Sequence, residues 1–171
     1  GRRKLILVAE SYSGRIAYEL CGLLGNQIER LIFIASFITN PNPLTQIASL
    51  LPLWILKERF IPGQLLSYFC FSGYETEERI KLVRTALQSV SPKDIRQRLS
   101  NMATLTSPER RFDTDAIYIR PSKDRLVGES ALRQIQKIYP NLEVCSVLGG
   151  HFVAQSNPRE CAKIILSAAT V

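Results

Sequence analysis

The apolar and polar positions of this chain fall into two alternating periods. Leu5-Ile6-Leu7-Val8-Ala9 is a short unbroken apolar run, which predicts a strand buried on both faces, as in a parallel sheet. After a turn over Glu10–Gly14 the spacing changes to threes and fours. Ile16, Leu20, Leu23 and Leu24 then form a helical stripe, and Gly25-Asn26 supplies a helix stop. A second buried run, Leu31–Ala35, follows. Strand, helix and strand in so short a span predict a βαβ unit with a right-handed crossover.

The rhythm breaks over residues 41–111. Pro41, Pro43, Pro52 and Pro62 punctuate short apolar pieces, and two helical patterns follow. Glu75–Val90 carries Ile80, Val83 and Leu87 on one face. Pro92–Leu105 opens with Ser91 as N-cap and proline at the first helical position. The segment has no strand pattern and reads as a helical insertion. The earlier rhythm then resumes with a strand at Ala116–Ile119, a polar loop over Arg120–Gly128 and an amphipathic helix at Glu129–Tyr139. A strand at Leu142–Leu148, a loop over Gly149–Asn157 and a last helix begun by Asn157-Pro158 complete the chain. The predicted class is α/β, with parallel strands and flanking helices. Residues 1–40 and 112–171 form the core, and residues 41–111 are inserted between two strands.

Composition narrows the function classes. Apolar residues make up 46% and charged residues 22%, which suits a folded domain rather than a disordered one. The net charge of +7 is spread along the chain without a nucleic-acid-binding motif, so it reads as a solvated basic surface. No segment reaches the roughly 18–20 apolar residues of a membrane span. Cys21, Cys70, Cys145 and Cys161 form no CxxC pair, and the chain has a single histidine, which argues against a Cys/His zinc site. Reduced thiols and a cytoplasmic location are the expectation.

Three loops carry candidate chemistry. Each follows a predicted strand and so lies at the carboxyl edge, where open parallel sheets place their sites. Ser11 sits in Val8-Ala9-Glu10-Ser11-Tyr12-Ser13-Gly14, where strand passes to helix with almost no loop. Such a turn pushes its central side chain outward, and it needs small residues two positions either side. Ala9 and Ser13 satisfy that need around Ser11, whereas centring on Ser13 would place Arg15 there. The same turn aims the Tyr12 N–H from a helix N-terminus, where it can stabilise a developing oxyanion. Read alone, Ser11 is equally an ordinary serine of a strand-to-helix turn. His151, the lone histidine, follows Gly149-Gly150 and suits a general base. Read alone, it is a surface-loop histidine. Asp124, in Lys123-Asp124-Arg125-Leu126-Val127, is either the carboxylate that orients the imidazole or an Asx-turn residue. Asp113 and Asp115 compete for the first role but precede their strand.

Taken together, the serine turn, the acid loop and Gly149-Gly150-His151-Phe152 occur in the chain order of the α/β-hydrolase family, and the sequence resembles that family over nearly its whole length. The two outer glycines of the family's G-x-S-x-G turn are replaced by Ala9 and Ser13. The nearest likeness is to small capped serine esterases of the pimeloyl-methyl-ester type. The resemblance implies a Ser11–His151–Asp124 triad and an acyl-enzyme intermediate. It also implies a small-molecule ester substrate, no metal or organic cofactor, and a lid formed by the insertion. Phe37, Trp54, Leu65 and Phe69 are candidates for an apolar acyl pocket. Further chemistries on the same fold, at C–C bonds, lactones or peroxides, stay open, as does a non-catalytic binding role. In that family several strands precede the nucleophile strand, so about 70 or more residues of the same fold are expected before this chain. One oxyanion donor is expected among them.

Overall fold

The computed structural model describes residues 4–42, 50, 52 and 61–169. Its centre is a four-stranded, wholly parallel sheet in the order β1-β2-β3-β4, formed by Leu5–Glu10, Ile28–Ile34, Asp115–Pro121 and Leu142–Val147. Val8 pairs with Ile32, Ile32 with Ile117, and Ile119 with Cys145, so the four carboxyl ends lie along one rim. The unbroken apolar runs become strands because both faces are covered. One face carries Leu7, Ala9, Leu31, Phe33, Ala116 and Tyr118 against helices α1 (Ser13–Leu24) and α5 (Glu129–Ile138). The other carries Ile32, Ile34, Ile117, Ile119 and Val147 against α7 (Pro158–Ala169). Leu31, Ile32, Phe33 and Ile119 are wholly buried, and each such side chain contributes about 1.5–3 kcal/mol.

Between β2 and β3 the described residues form helices only. They are a short α2 (Gly63–Leu66) that widens into a π-helical turn at Ser67–Phe71, then α3 (Glu77–Gln88) and α4 (Pro92–Ala103). Ile80, Val83 and Leu87 of α3 pack on Leu66, Cys70 and Phe71, which is the face that their spacing predicts. Ser91 caps α4 by accepting from the Asp94 N–H at 3.1 Å. Arg15 of α1 joins the two ends of the insertion. Its guanidinium donates to the Ile38 carbonyl at 3.0 Å and to the Thr106 carbonyl at 2.9 Å.

Two differences from the sequence reading involve buried residues, beside shifts of one or two positions at other element ends. β2 begins at Ile28, whose buried side chain pairs across from Leu5. The predicted loop over Gly149–Asn157 contains a one-turn helix, α6 (Val153–Ser156), pinned by the fully buried Val153. Four residues are too few to show a helical period. At the far side of β1 the apolar surface continues into solvent. Val8 is 50% exposed and Leu23 79% exposed, in contrast to the buried residues of β2. Among the described residues, no helix is long and apolar enough to cross a membrane.

Candidate active site

The turn after β1 is strained where the sequence places its candidate nucleophile. Ser11 has φ 53°, a left-handed conformation that non-glycine residues rarely take. Several bonds hold it there. Its N–H donates to the Ile34 carbonyl at 2.9 Å, and its own carbonyl accepts from the Gly14 N–H at 3.1 Å. The Ser13 hydroxyl closes the turn on the Glu10 carbonyl at 2.7 Å. Gly14 lets α1 press against the end of β2, since a Cβ there would stand 2.8 Å from the Phe37 carbonyl oxygen. Tyr12 is the N-cap residue of α1, and its N–H is one of the donors that a helix start leaves without an intrahelical partner.

Beneath this turn lies a polar knot that the sequence reading passed over. Ser36, fully buried, donates to the Ala9 carbonyl at 2.7 Å, and its own carbonyl accepts from the Tyr118 hydroxyl at 3.0 Å. Ala35 beside it also has a positive φ, 47°. The available signal was a lone serine interrupting the apolar run Leu31–Ile38. Burial, with the Asp124 carboxylate nearby, pushes the Tyr118 hydroxyl well above its usual range, so it remains a donor.

The acid loop and the histidine loop leave β3 and β4 side by side. The Ser122 N–H donates to the Val147 carbonyl at 2.9 Å, and the Lys123 N–H to the Gly149 carbonyl at 3.0 Å. Asp124 makes two kinds of contact. Its Oδ1 accepts from the Leu126 and Val127 N–H groups, each at 2.9 Å, as in an Asx turn. Its Oδ2 lies 3.0 Å from His151 Nδ1. A carboxylate only accepts, so the proton belongs on Nδ1, which leaves Nε2 to accept from the Ser11 hydroxyl at 2.9 Å. The imidazole is 3% exposed. Asp115, by contrast, opens β3 at the opposite edge and faces Arg30 at 3.7 Å.

Gly150, just before the imidazole, runs close against the insertion. A Cβ on Gly150 would stand 2.5–2.8 Å from the backbone of Phe71, so the close neighbour is the insertion. The contact is completed by the Phe152 N–H, which donates to the Cys70 carbonyl at 3.0 Å. Burial, with Asp124 nearby, pushes the Cys70 thiol up to about 11.

Ser11 and His151 share the wall of a cavity of about 270 Å³ with Phe37, Phe69, Leu99, Met102, Leu126 and Val127. Phe37 and Phe69, two of the residues singled out in the sequence, are in this lining. Leu65 is not: it is 47% exposed and outside this lining, because α2 turns it toward solvent. Trp54 lies outside the described residues. Leu99 and Met102 were missed. Their spacing of three along α4 was the signal, but it reads equally as helix packing.

No family model matches the chain, and no curated protein matches it either. Solved structures do. A thermophilic esterase from Thermogutta terrifontis superposes with a TM-score of 0.77 at 12% identity, over 98% of this chain and 65% of its own. An alpha/beta hydrolase enzyme from a Medee basin deep-sea metagenome library gives 0.72 at 18% identity, over 98% and 65%. A 2-hydroxy-6-oxo-6-phenylhexa-2,4-dienoate hydrolase from a Rhodococcus species gives 0.73 at 16% identity, over 100% and 66%. The chain therefore spans just under two thirds of the length of these structures. Across nearly all of its own length, it folds as part of an α/β hydrolase.

Proposed function

We propose that the chain carries the catalytic part of a serine hydrolase that cleaves carboxylic esters. The observation behind this reading is the unbroken line from Ser11 Oγ to His151 Nε2, at 2.9 Å, and from Nδ1 to Asp124 Oδ2, at 3.0 Å. It is built on a serine held at a strained backbone angle. Ser11 attacks the ester carbonyl while His151 takes its proton. The charge that forms on the carbonyl oxygen is met by the Tyr12 N–H at the start of α1. His151 then protonates the departing alcohol. It next activates a water that releases the acid and restores Ser11. Asp124 holds the imidazole in the tautomer that each step needs. The triad needs no metal or organic cofactor.

The acyl group occupies the cavity beside Ser11. Most of its wall is apolar, with Phe37, Phe69, Leu99, Met102, Leu126 and Val127 beside the single amide of Asn42, which favours an apolar chain over a sugar or a peptide. Residues 41–111 act as a lid, since Phe69, Leu99 and Met102 of that cavity come from them. The half-exposed edge of β1 is where further strands of the same fold pair, and with them comes a second oxyanion donor. The protein works in the cytoplasm on a small-molecule ester.

A fluorophosphonate probe applied to the full-length protein tests this reading. Labelling is expected to vanish in Ser11→Ala and to fall strongly in His151→Ala. Labelling that persists in Ser11→Ala overturns it. A panel of p-nitrophenyl esters, lactones and diketones separates ester cleavage from the other chemistries that this triad serves.

A further inference from the structure

Ser72 stands where the insertion meets both catalytic loops. It follows the π-helical turn at Ser67–Phe71 and is 8% exposed. Its backbone is left-handed, with φ 54° and ψ 37°, at a place where glycine is the easy choice. Glycine is in fact the next residue, Gly73. A buried serine held in a strained conformation suggests that its hydroxyl has a use.

That hydroxyl donates to the Lys123 carbonyl at 2.7 Å. The Lys123 carbonyl belongs to the peptide unit that leads into Asp124, while the Lys123 N–H is bound to the Gly149 carbonyl at 3.0 Å. Lys123 is thus fixed on both sides, by the insertion and by the histidine loop. The orientation of the 123–124 peptide sets the direction in which the Asp124 side chain leaves the backbone. The two N–H groups that bind Oδ1 then fix its rotation. Neighbouring contacts reinforce the join. Arg125 donates to the Tyr68 carbonyl at 3.1 Å, and its guanidinium stacks over the Tyr68 ring at 3.7 Å. On the other loop, the Phe152 N–H donates to the Cys70 carbonyl, so the same turn also holds the residue next to the imidazole.

We propose that Ser72 is a positioning residue for the Asp124–His151 pair, and that the turn over Tyr68–Ser72 makes the catalytic geometry depend on the insertion. The inference rests on the serine-hydrolase reading above. Ser72 touches neither substrate nor imidazole. It acts through the Lys123 carbonyl, and without its hydroxyl the acid loop loses the bond that orients its peptide.

Two substitutions separate positioning from folding. Ser72→Ala and Ser72→Gly both remove the hydroxyl, but only glycine accepts φ 54° at no steric cost. The measurements are kcat and KM for p-nitrophenyl butyrate on the full-length protein, with thermal unfolding in parallel. Both variants are expected to lose about tenfold in kcat, as fits one buried hydrogen bond, with KM unchanged. The glycine variant is expected to melt above the alanine variant. The inference is overturned by a wild-type kcat in either variant, by losses that track melting temperature, or by an effect confined to KM. Fluorophosphonate labelling that depends on Ser11 keeps the two claims apart. If labelling depends on Ser11 but the Ser72 variants are unimpaired, only the positioning role fails. If labelling survives Ser11→Ala, the functional reading fails and this inference falls with it.

Discussion

The sheet and the insertion are held in place by different forces. In the sheet, β2 runs through the middle with Leu31, Ile32 and Phe33 out of contact with water, and its position is set by apolar area covered on both faces. In the insertion, neither α3 nor α4 has a fully buried residue. Much of what joins it to the core consists of single donors aimed at main-chain carbonyls. Arg15 reaches Ile38 and Thr106, Ser72 reaches Lys123, Arg125 reaches Tyr68, and Arg79 reaches Ser156 at 3.0 Å. Apolar burial is tolerant of direction, whereas a hydrogen bond is not. The core thus gives the rim its stability, and the insertion contributes orientation at a few points, several of them beside the loops that carry Asp124 and His151.

That contrast can be tested from the strongest effect downward. Asp124→Asn keeps an oxygen for the Leu126 and Val127 N–H groups, so the loop is expected to fold while the imidazole loses its carboxylate. A fall in kcat of about 10⁴-fold with little change in melting temperature is the expected result. A comparable fall in stability would mean that the acid loop belongs to the scaffold more than to the chemistry. Gly150→Ala strikes the join itself. Its new methyl meets the Phe71 backbone, and denaturant unfolding is expected to show a loss of up to about 3 kcal/mol together with reduced turnover.

The third test concerns the thiol at the same join. Cys70 is held up to about 11, from an ordinary value of 9.0. In the unfolded chain it ionises first, so the stability it provides is intact below pH 9.0 and is lost as pH rises toward 11. Unfolding free energies at pH 8 and pH 11 should differ by about 2–3 kcal/mol more in the wild type than in Cys70→Ala. An equal difference in both would remove Cys70 from the alkaline transition. The smallest effect is expected from Met102→Ala, which enlarges the cavity from the insertion side. Preference among p-nitrophenyl esters should move toward longer acyl chains by roughly tenfold, with stability nearly unchanged. No change in chain-length preference would place the acyl group elsewhere.

The same contrast explains what was legible in the sequence. Leu5–Ala9 and Leu31–Ala35 announced their strands because continuous apolar runs have few other uses. Ser91-Pro92 announced a helix start because capping is local chemistry. The three candidate site residues could be picked out because each follows a strand, and a parallel sheet brings its carboxyl ends to one rim. Ser72, Ser36 and Gly150 were not legible. Each acts through a partner more than 25 positions away along the chain, Lys123, Ala9 or Phe71, and a small polar residue in a turn shows no period that would reveal such a contact. The cavity lining was half legible for a related reason. Phe37 lies three residues beyond β2, on the rim side, but Leu65 and Leu99 look alike until the direction of each helix is known.

Arg15 gathers the two ends of the insertion onto one guanidinium, with Glu19 one turn along α1 pairing with it at 2.8 Å. The distance between those ends is therefore set at the neck, whatever length of polypeptide lies beyond it. One side chain of α1 thus fixes the chain both where it leaves β2 and where it returns toward β3. The neck sets the spacing of the two ends, while the Tyr68–Ser72 turn ties what lies between them to the loops that carry Asp124 and His151.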